Sequence, residues 1–142
     1  MTDPLRALDQ HPDVAITIQQ GTEYFRDGQI TLIIRGDGRV RVEQRRSGVV
    51  HPFEVQLPPA RIAAIGRALA EHRFTAARTT KLPRNPGDTP LVLRLERGTA
   101  AAFAADLWYA DRYQDADLDA IVRQADALIY EVTGGRLGQA PG

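Results

Sequence analysis

Few side chains in this sequence could do chemistry near neutral pH. Histidine is the residue whose ordinary pKa lies there, and the chain has His11, His51 and His72. None falls in HExxH or another ligand spacing, although Glu71 and His72 are adjacent. A strand-edge His51 and a helical His72 could face one another in space. Without a motif, structural or surface roles account for both. Cysteine is absent, which excludes disulfides, thiolate metal sites and a Cys nucleophile. Ser47 is the single serine, and no G-x-S-x-G surrounds it. Gly36 and Gly38 follow a strand pattern but lead into another strand, so they form no phosphate loop. Asp115, Asp117 and Asp119, with Asp126 at the twelfth position, imitate a calcium loop. Ala120 stands where the sharp turn needs Gly, and Arg123 occupies a ligating position. Capping and solvating a helix explains these carboxylates better. Asp106 and Asp111 read as solvated or paired with Arg112, not as a hydrolytic pair. With no nucleophile, metal or cofactor motif, the chain is expected to be non-enzymatic, with no metal and no cofactor.

A different kind of chemistry is concentrated in Phe103 to Tyr113, FAADLWYADRY, which holds the only Trp and two of the four Tyr. Trp, Tyr and Arg are the residue types enriched at protein-interface hot spots. The elements around this stretch decide which of its side chains are available. Val14, Ile16 and Ile18 alternate with polar or small residues, as do Ile30, Leu32 and Ile34, then Val40 and Val42. Val49, His51, Phe53, Val55 and Leu57 share one parity, as do Leu91, Leu93 and Leu95, and then Phe103, Ala105, Leu107 and Tyr109. A period of two marks six strands, each with one buried face. Arg35-Gly36-Asp37 spells an integrin-binding tripeptide, but with Gly38 it is a hairpin turn, read here as a two-residue loop with Gly at positive φ. Pro58-Pro59 opens a helix whose stripe is Ile62, Ile65, Leu69 and His72. Gly66 within it implies close packing, expected against the sheet. Leu118 to Val132 carries an unbroken helical stripe, capped by Asp115 or Asp117 and closed by Gly134-Gly135.

The order is ββββ-α-ββ-α. One-sided alternation in every strand implies an antiparallel sheet of about six strands with both helices on one face, an α+β domain. At 142 residues the chain is expected to be one domain over residues 13–134. Residues 1–12 read as a loosely ordered segment in which Asp3-Pro4 could cap one helical turn through Leu8, and residues 135–142 as a disordered tail. Tyr24 and Phe25, in the first turn, are expected to fold back on the core. Residues 75–90 contain Pro83, Pro86 and Pro90 and no periodicity, as functional or mobile loops do.

By parity, the face away from the helices carries Ile33, Arg35, Arg39, Arg41, Glu43, Arg45, Glu54, Val92, Arg94, Asp106 and Trp108. Arg and Trp can stack across strands there. The candidate partner-binding residues are therefore Trp108, Asp106, Tyr113, Arg39, Arg41, Arg45 and Arg94, with the loop over 75–90 as a further contact surface. Lys plus Arg equals Asp plus Glu, so the net charge is zero, which argues against nucleic acid and anionic membranes as partners. No run is long enough to span a membrane, and no leader pattern opens the chain, so a cytoplasmic protein is expected. Of 18 basic residues only Lys81 is lysine, a bias typical of a GC-rich bacterial genome.

The segment LPPARIAAIGRALAEHRF, followed by GDTPLVLRLERG, a polar strand and a final helix, resembles small bacterial domains of the emfourin group, single-domain inhibitors of thermolysin-like metalloproteases. Uncharacterised bacterial domains share the outline. The resemblance covers about residues 30–130 and rests on apolar spacing and turns. Gly21 stands alone where the group carries a double-Gly turn after the first strand, so no inhibitory residue is carried over. The reading is a small non-enzymatic protein-binding module: an inhibitor, immunity factor or complex subunit. The alternative is a small-molecule binder or cryptic enzyme with a pocket between sheet and helices, lined by His51, Tyr24 or Tyr109. Self-association as a homodimer, through the sheet face or an edge strand, is a third possibility.

Overall fold

The computed structural model describes residues 3–79 and 89–140. Six strands form one sheet: β1 (Val14–Gln20), β2 (Gln29–Arg35), β3 (Arg39–Arg46), β4 (Val49–Gln56), β5 (Pro90–Arg97) and β6 (Ala100–Trp108). Helix α1 (Pro59–Glu71) follows β4, and α2 (Ala116–Val132) follows β6. This is the expected α+β order. The sheet is antiparallel throughout, in the order β4-β3-β2-β1-β5-β6. A meander therefore builds β1 to β4 outward, and α1 returns the chain so that β5 pairs with the free side of β1.

The alternation produces this arrangement directly. Val14, Ile16, Ile18, Leu32, Ile34, Val40, Val42, Leu91, Leu93 and Leu95 all point to one face and are buried. Ile62, Ile65 and Leu69 of α1 and the stripe from Leu118 to Val132 of α2 close over them. Burying each such side chain contributes roughly 1.5–3 kcal/mol. Phe74 follows α1 in a short 3-10 turn, fully buried, and meets Phe103 edge-on with ring centroids 5.9 Å apart.

Several local expectations are corrected. The turn expected after Asp3-Pro4 is present, capped by Asp3, but it runs from Pro4 to Gln10 as a 3-10 segment and is docked, with Leu5 and Leu8 1% and 0% exposed. It is this segment, and not the sheet, that Gly66 accommodates. A Cβ on Gly66 would collide with the Leu5 carbonyl oxygen and stand 2.7 Å from the Leu8 Cβ. Two apolar residues three apart are too short a pattern to advertise burial, which explains why the docking is invisible in the sequence. The tail is also engaged as far as Gln139. Leu137 is buried, and the Gln139 N–H donates to the Asp126 carbonyl at 3.2 Å.

The β2–β3 hairpin has a three-residue loop, not two. Ile34 pairs with Val40, the Gly38 N–H donates to the Arg35 carbonyl, and Gly38 has φ +100°. Asp37 holds the turn by accepting from the Arg39 N–H at 3.0 Å and from Arg39 Nε at 2.9 Å. Tyr24 is 85% exposed and does not return to the core, while Phe25 is half-buried beside Gly21. Of the loop read over residues 75–90, residues 80–88 lie outside those described. Among the described residues no helix is long and apolar enough to cross a membrane.

Candidate functional site

Among the described residues no helix covers the outer face of the sheet, and its residues line up in rows fixed by the strand register. One row runs Glu54, Arg41, Ile33, Thr17, Arg94, Ala104 across all six strands. The next runs Pro52, Glu43, Thr31, Gln19, Val92, Asp106. The middle of the first row is β-branched Ile33 and Thr17 and that of the second is Thr31 and Gln19, all half-buried, while Glu54, Arg94 and Asp106 at the flanks are exposed. The face is thus flat at its centre and charged at its margins. Arg41 Nε donates to Glu43 Oε2 at 3.2 Å along β3, and Gln19 Nε2 donates to Thr31 Oγ1 at 3.0 Å. Ion pairs this exposed contribute about 0–1 kcal/mol and leave both groups available to a partner.

The structure divides the seven sequence-derived contact residues. Arg94, Asp106 and Trp108 lie on the adjacent strands β5 and β6, where Arg94 pairs with Ala104, Asp106 with Val92 and Trp108 with Pro90. Arg39, Arg41 and Arg45 lie on β3, four strand positions from β6, which is about 19 Å. Arg39 is engaged by Asp37 in the hairpin. Tyr113 belongs to neither group. It ends the 3-10 turn Tyr109–Tyr113, is 73% exposed, and borders a surface recess with Tyr109, Arg112, Asp115, Asp119 and Arg123.

That turn holds a second polar constellation. Asp111 is buried, and its Oδ2 accepts from the Trp108 N–H at 2.8 Å, which ends β6 and starts the turn. Arg112 lies over the Tyr109 ring, 4.7 Å from its centroid, and donates to the Tyr109 hydroxyl. Its Nε also donates to Asp119 Oδ1 at 2.6 Å, and Arg123 Nε donates to Asp119 Oδ2 at 2.8 Å. The Arg112 hydrogen bond holds the Asp119 carboxyl below the usual range. Burial pushes the Tyr109 phenol up, and the negative charge of Asp126 adds to this.

The three spaced aspartates of α2 are all occupied locally. Asp115 is the N-cap: its Oδ1 accepts from the Asp117 and Leu118 N–H groups at 3.0 and 3.2 Å. Asp117 Oδ1 lies 3.1 Å from His72 Nδ1, and Asp119 takes the two arginines. His72 thus joins the end of α1 to the start of α2, while His51 is exposed on β4 opposite Gln44. Among the described residues no group of three or more His, Asp or Glu is gathered to hold a metal.

Two contacts had no sequence signal. Asp126, on the buried stripe of α2, accepts from Gln20 Nε2 at 3.0 Å across 106 residues. Burial raises its pKa, opposed by the Gln20 hydrogen bond and the charge of Arg112. Arg61 and Glu131 form a two-point pair between the helices at 3.1 and 2.7 Å. The residues suggested for an internal pocket do not converge: His51 is on edge strand β4, Tyr24 in the β1–β2 connection and Tyr109 after β6. Between sheet and helices the space is occupied by side chains such as Ile16, Leu32, Ile62 and Leu118, each at most 1% exposed. No family model matches the chain, and no curated protein matches it.

Proposed function

We propose that this chain is a small non-enzymatic protein-binding module of the bacterial cytoplasm, acting as an inhibitor, immunity factor or complex subunit through the outer face of its sheet. The observation that carries the reading is a sheet face that no helix among the described residues covers, with half-buried Ile33 and Thr17 at its centre and exposed charges at Glu54, Arg94 and Asp106. A small, β-branched centre can be desolvated at low cost, and peripheral charges steer and orient a partner. Trp108, half-buried at the end of this face, supplies an aromatic anchor two residues from Asp106 on the same strand. The contact centre is accordingly placed on β5–β6, with the β3 arginines toward its far side.

A photo-crosslinking residue at position 33, compared with one at exposed Arg67 on α1, tests the assignment in the native cell. A partner captured at 33 and not at 67, and bound at least tenfold more weakly after Arg94→Glu, supports it. Capture at 67 alone, or affinity unchanged by Arg94→Glu and Trp108→Ala together, overturns it.

A further inference from the structure

Two turns at one end of the sheet are braced together. The β1–β2 connection leans on the β3–β4 turn: the Glu23 carbonyl accepts from the Ser47 N–H at 3.3 Å, and Glu23 Oε2 accepts from the Gly48 N–H at 2.9 Å. Gln44 Nε2 donates to the Asp27 carbonyl at 2.8 Å, and a Cβ on Gly28 would collide with the Arg45 carbonyl oxygen. Ser47 is held at φ +50°, a conformation that residues other than glycine rarely adopt. Among the described residues five large apolar or aromatic side chains are exposed, and three of them, Tyr24, Val49 and Val50, lie in or beside these two turns. Arg45 pairs with Val50 and Arg46 with Val49 across the hairpin, so each valine has an arginine beside it on the same face. Arg26, Arg45 and Arg46 are exposed, and among the described residues no ion pair engages them, whereas Arg39, Arg41, Arg61, Arg112 and Arg123 are each paired. Glu23 is committed to the Gly48 N–H, so in these turns three arginines stand against the carboxylate of Asp27 alone.

We propose that this end of the sheet docks an acidic segment of a partner protein, with an apolar side chain against Tyr24, Val49 and Val50 and carboxylates on Arg26, Arg45 and Arg46. Charge complementarity selects the occupant. A guanidinium without a counter-charge takes a carboxylate through charge-assisted hydrogen bonds. The valines and Tyr24 give up exposed apolar surface to a side chain set between those carboxylates. Nucleic acid or an anionic membrane needs a continuous basic track and a positive field. Here valines and Asp27 interrupt the arginines, and the whole chain carries no net charge. The braces hold both turns in place before a partner arrives, which lowers the ordering cost of binding. Strand β3 is three positions from β5, about 14 Å. This surface is therefore separate from the contact centre assigned above, and each can fail without the other.

Amide NMR titration of the full chain with a short synthetic peptide of Glu, Asp and Leu tests it, against the same peptide with Lys in place of both acids. Shifts confined to residues 22–28 and 45–51 are expected with the acidic peptide, weakening as salt rises, and none there with the basic one. Arg45→Glu and Arg46→Glu together should weaken binding of the acidic peptide by about tenfold or more and transfer it to the basic one. Both side chains are exposed, so the variant should retain the native circular dichroism spectrum. Tyr24→Ala, which keeps the charge, should weaken binding about threefold, while Arg94→Glu on β5 should leave it unchanged. No shifts in those residues, equal binding of both peptides, or binding lost with Arg94→Glu would overturn the proposal. So would a DNA duplex or a phosphatidylglycerol vesicle that engages the same residues more tightly than the acidic peptide.

Discussion

The two faces of the sheet are built from the same strands and obey different constraints. On the inner face, alternate residues of β1, β2, β3 and β5 are buried to a few per cent or less under α1, α2 and the N-terminal 3-10 segment. On the outer face the intervening residues are exposed or half-buried and include Arg41, Arg94, Glu54 and Asp106. Inner residues are chosen by close packing, where a lost methylene is felt. Outer residues tolerate many side chains without loss of the fold, so their identities are free to be set by a partner. That difference is the physical reason to look for function on the outer face.

The contrast is open to direct tests. The largest effect is expected from Leu32→Ala, which empties a site that is 0% exposed and should cost about 2–5 kcal/mol in urea unfolding. Gly66→Val should cost roughly 1–3 kcal/mol by overpacking. It should also speed proteolysis within residues 3–12, because the added atoms collide with the Leu5 carbonyl.

Asp126→Asn probes the one carboxylate buried on the inner side of α2. Its raised pKa means that the folded state disfavours the charged form. The protonated form carries no penalty at pH below the unfolded value, and stability falls as pH rises through the folded pKa. The Asn variant should therefore be more stable than the parent at pH 7, by up to about 1 kcal/mol, with the gap closing below about pH 3.9. Thermal melts across that range would show it. A variant less stable at pH 7 would mean that attraction to Arg112 outweighs burial. The smallest effect is expected from Ile33→Ala, one residue from Leu32 on the opposite face, at under about 1 kcal/mol. A cost equal to that of Leu32→Ala would remove the distinction between the faces.

The fold was legible where the pattern is local. Alternation identified each strand and, in β1, β2, β3 and β5, the face it buries, and the stripe from Leu118 to Val132 identified α2, because both follow from backbone periods of two and 3.6 residues. In edge strand β4 the expected inward parity fails at its start, where Val49 and His51 are exposed and only Phe53 and Val55 are half-buried. Strand parity also separated Leu107 from Asp106 and Trp108, and the structure keeps that separation. The candidate surface was only partly legible. Parity correctly assigns a residue to a face but says nothing about lateral position, so arginines on β3 were grouped with Trp108 across about 19 Å of sheet. Tyr113 was added by proximity in sequence, whereas the 3-10 turn after β6 carries it into the Arg112 and Asp119 recess.

By itself, then, the sequence determined the elements, their order, the single-sided sheet and the zero net charge, all properties of neighbouring residues or of simple sums. Only the tertiary structure decided that β5 returns beside β1, that Leu5 and Leu8 seat against Gly66, and that Gln20 reaches Asp126. These depend on which surfaces fill one another's gaps across the whole chain. Packing of that kind has no period for a sequence to display.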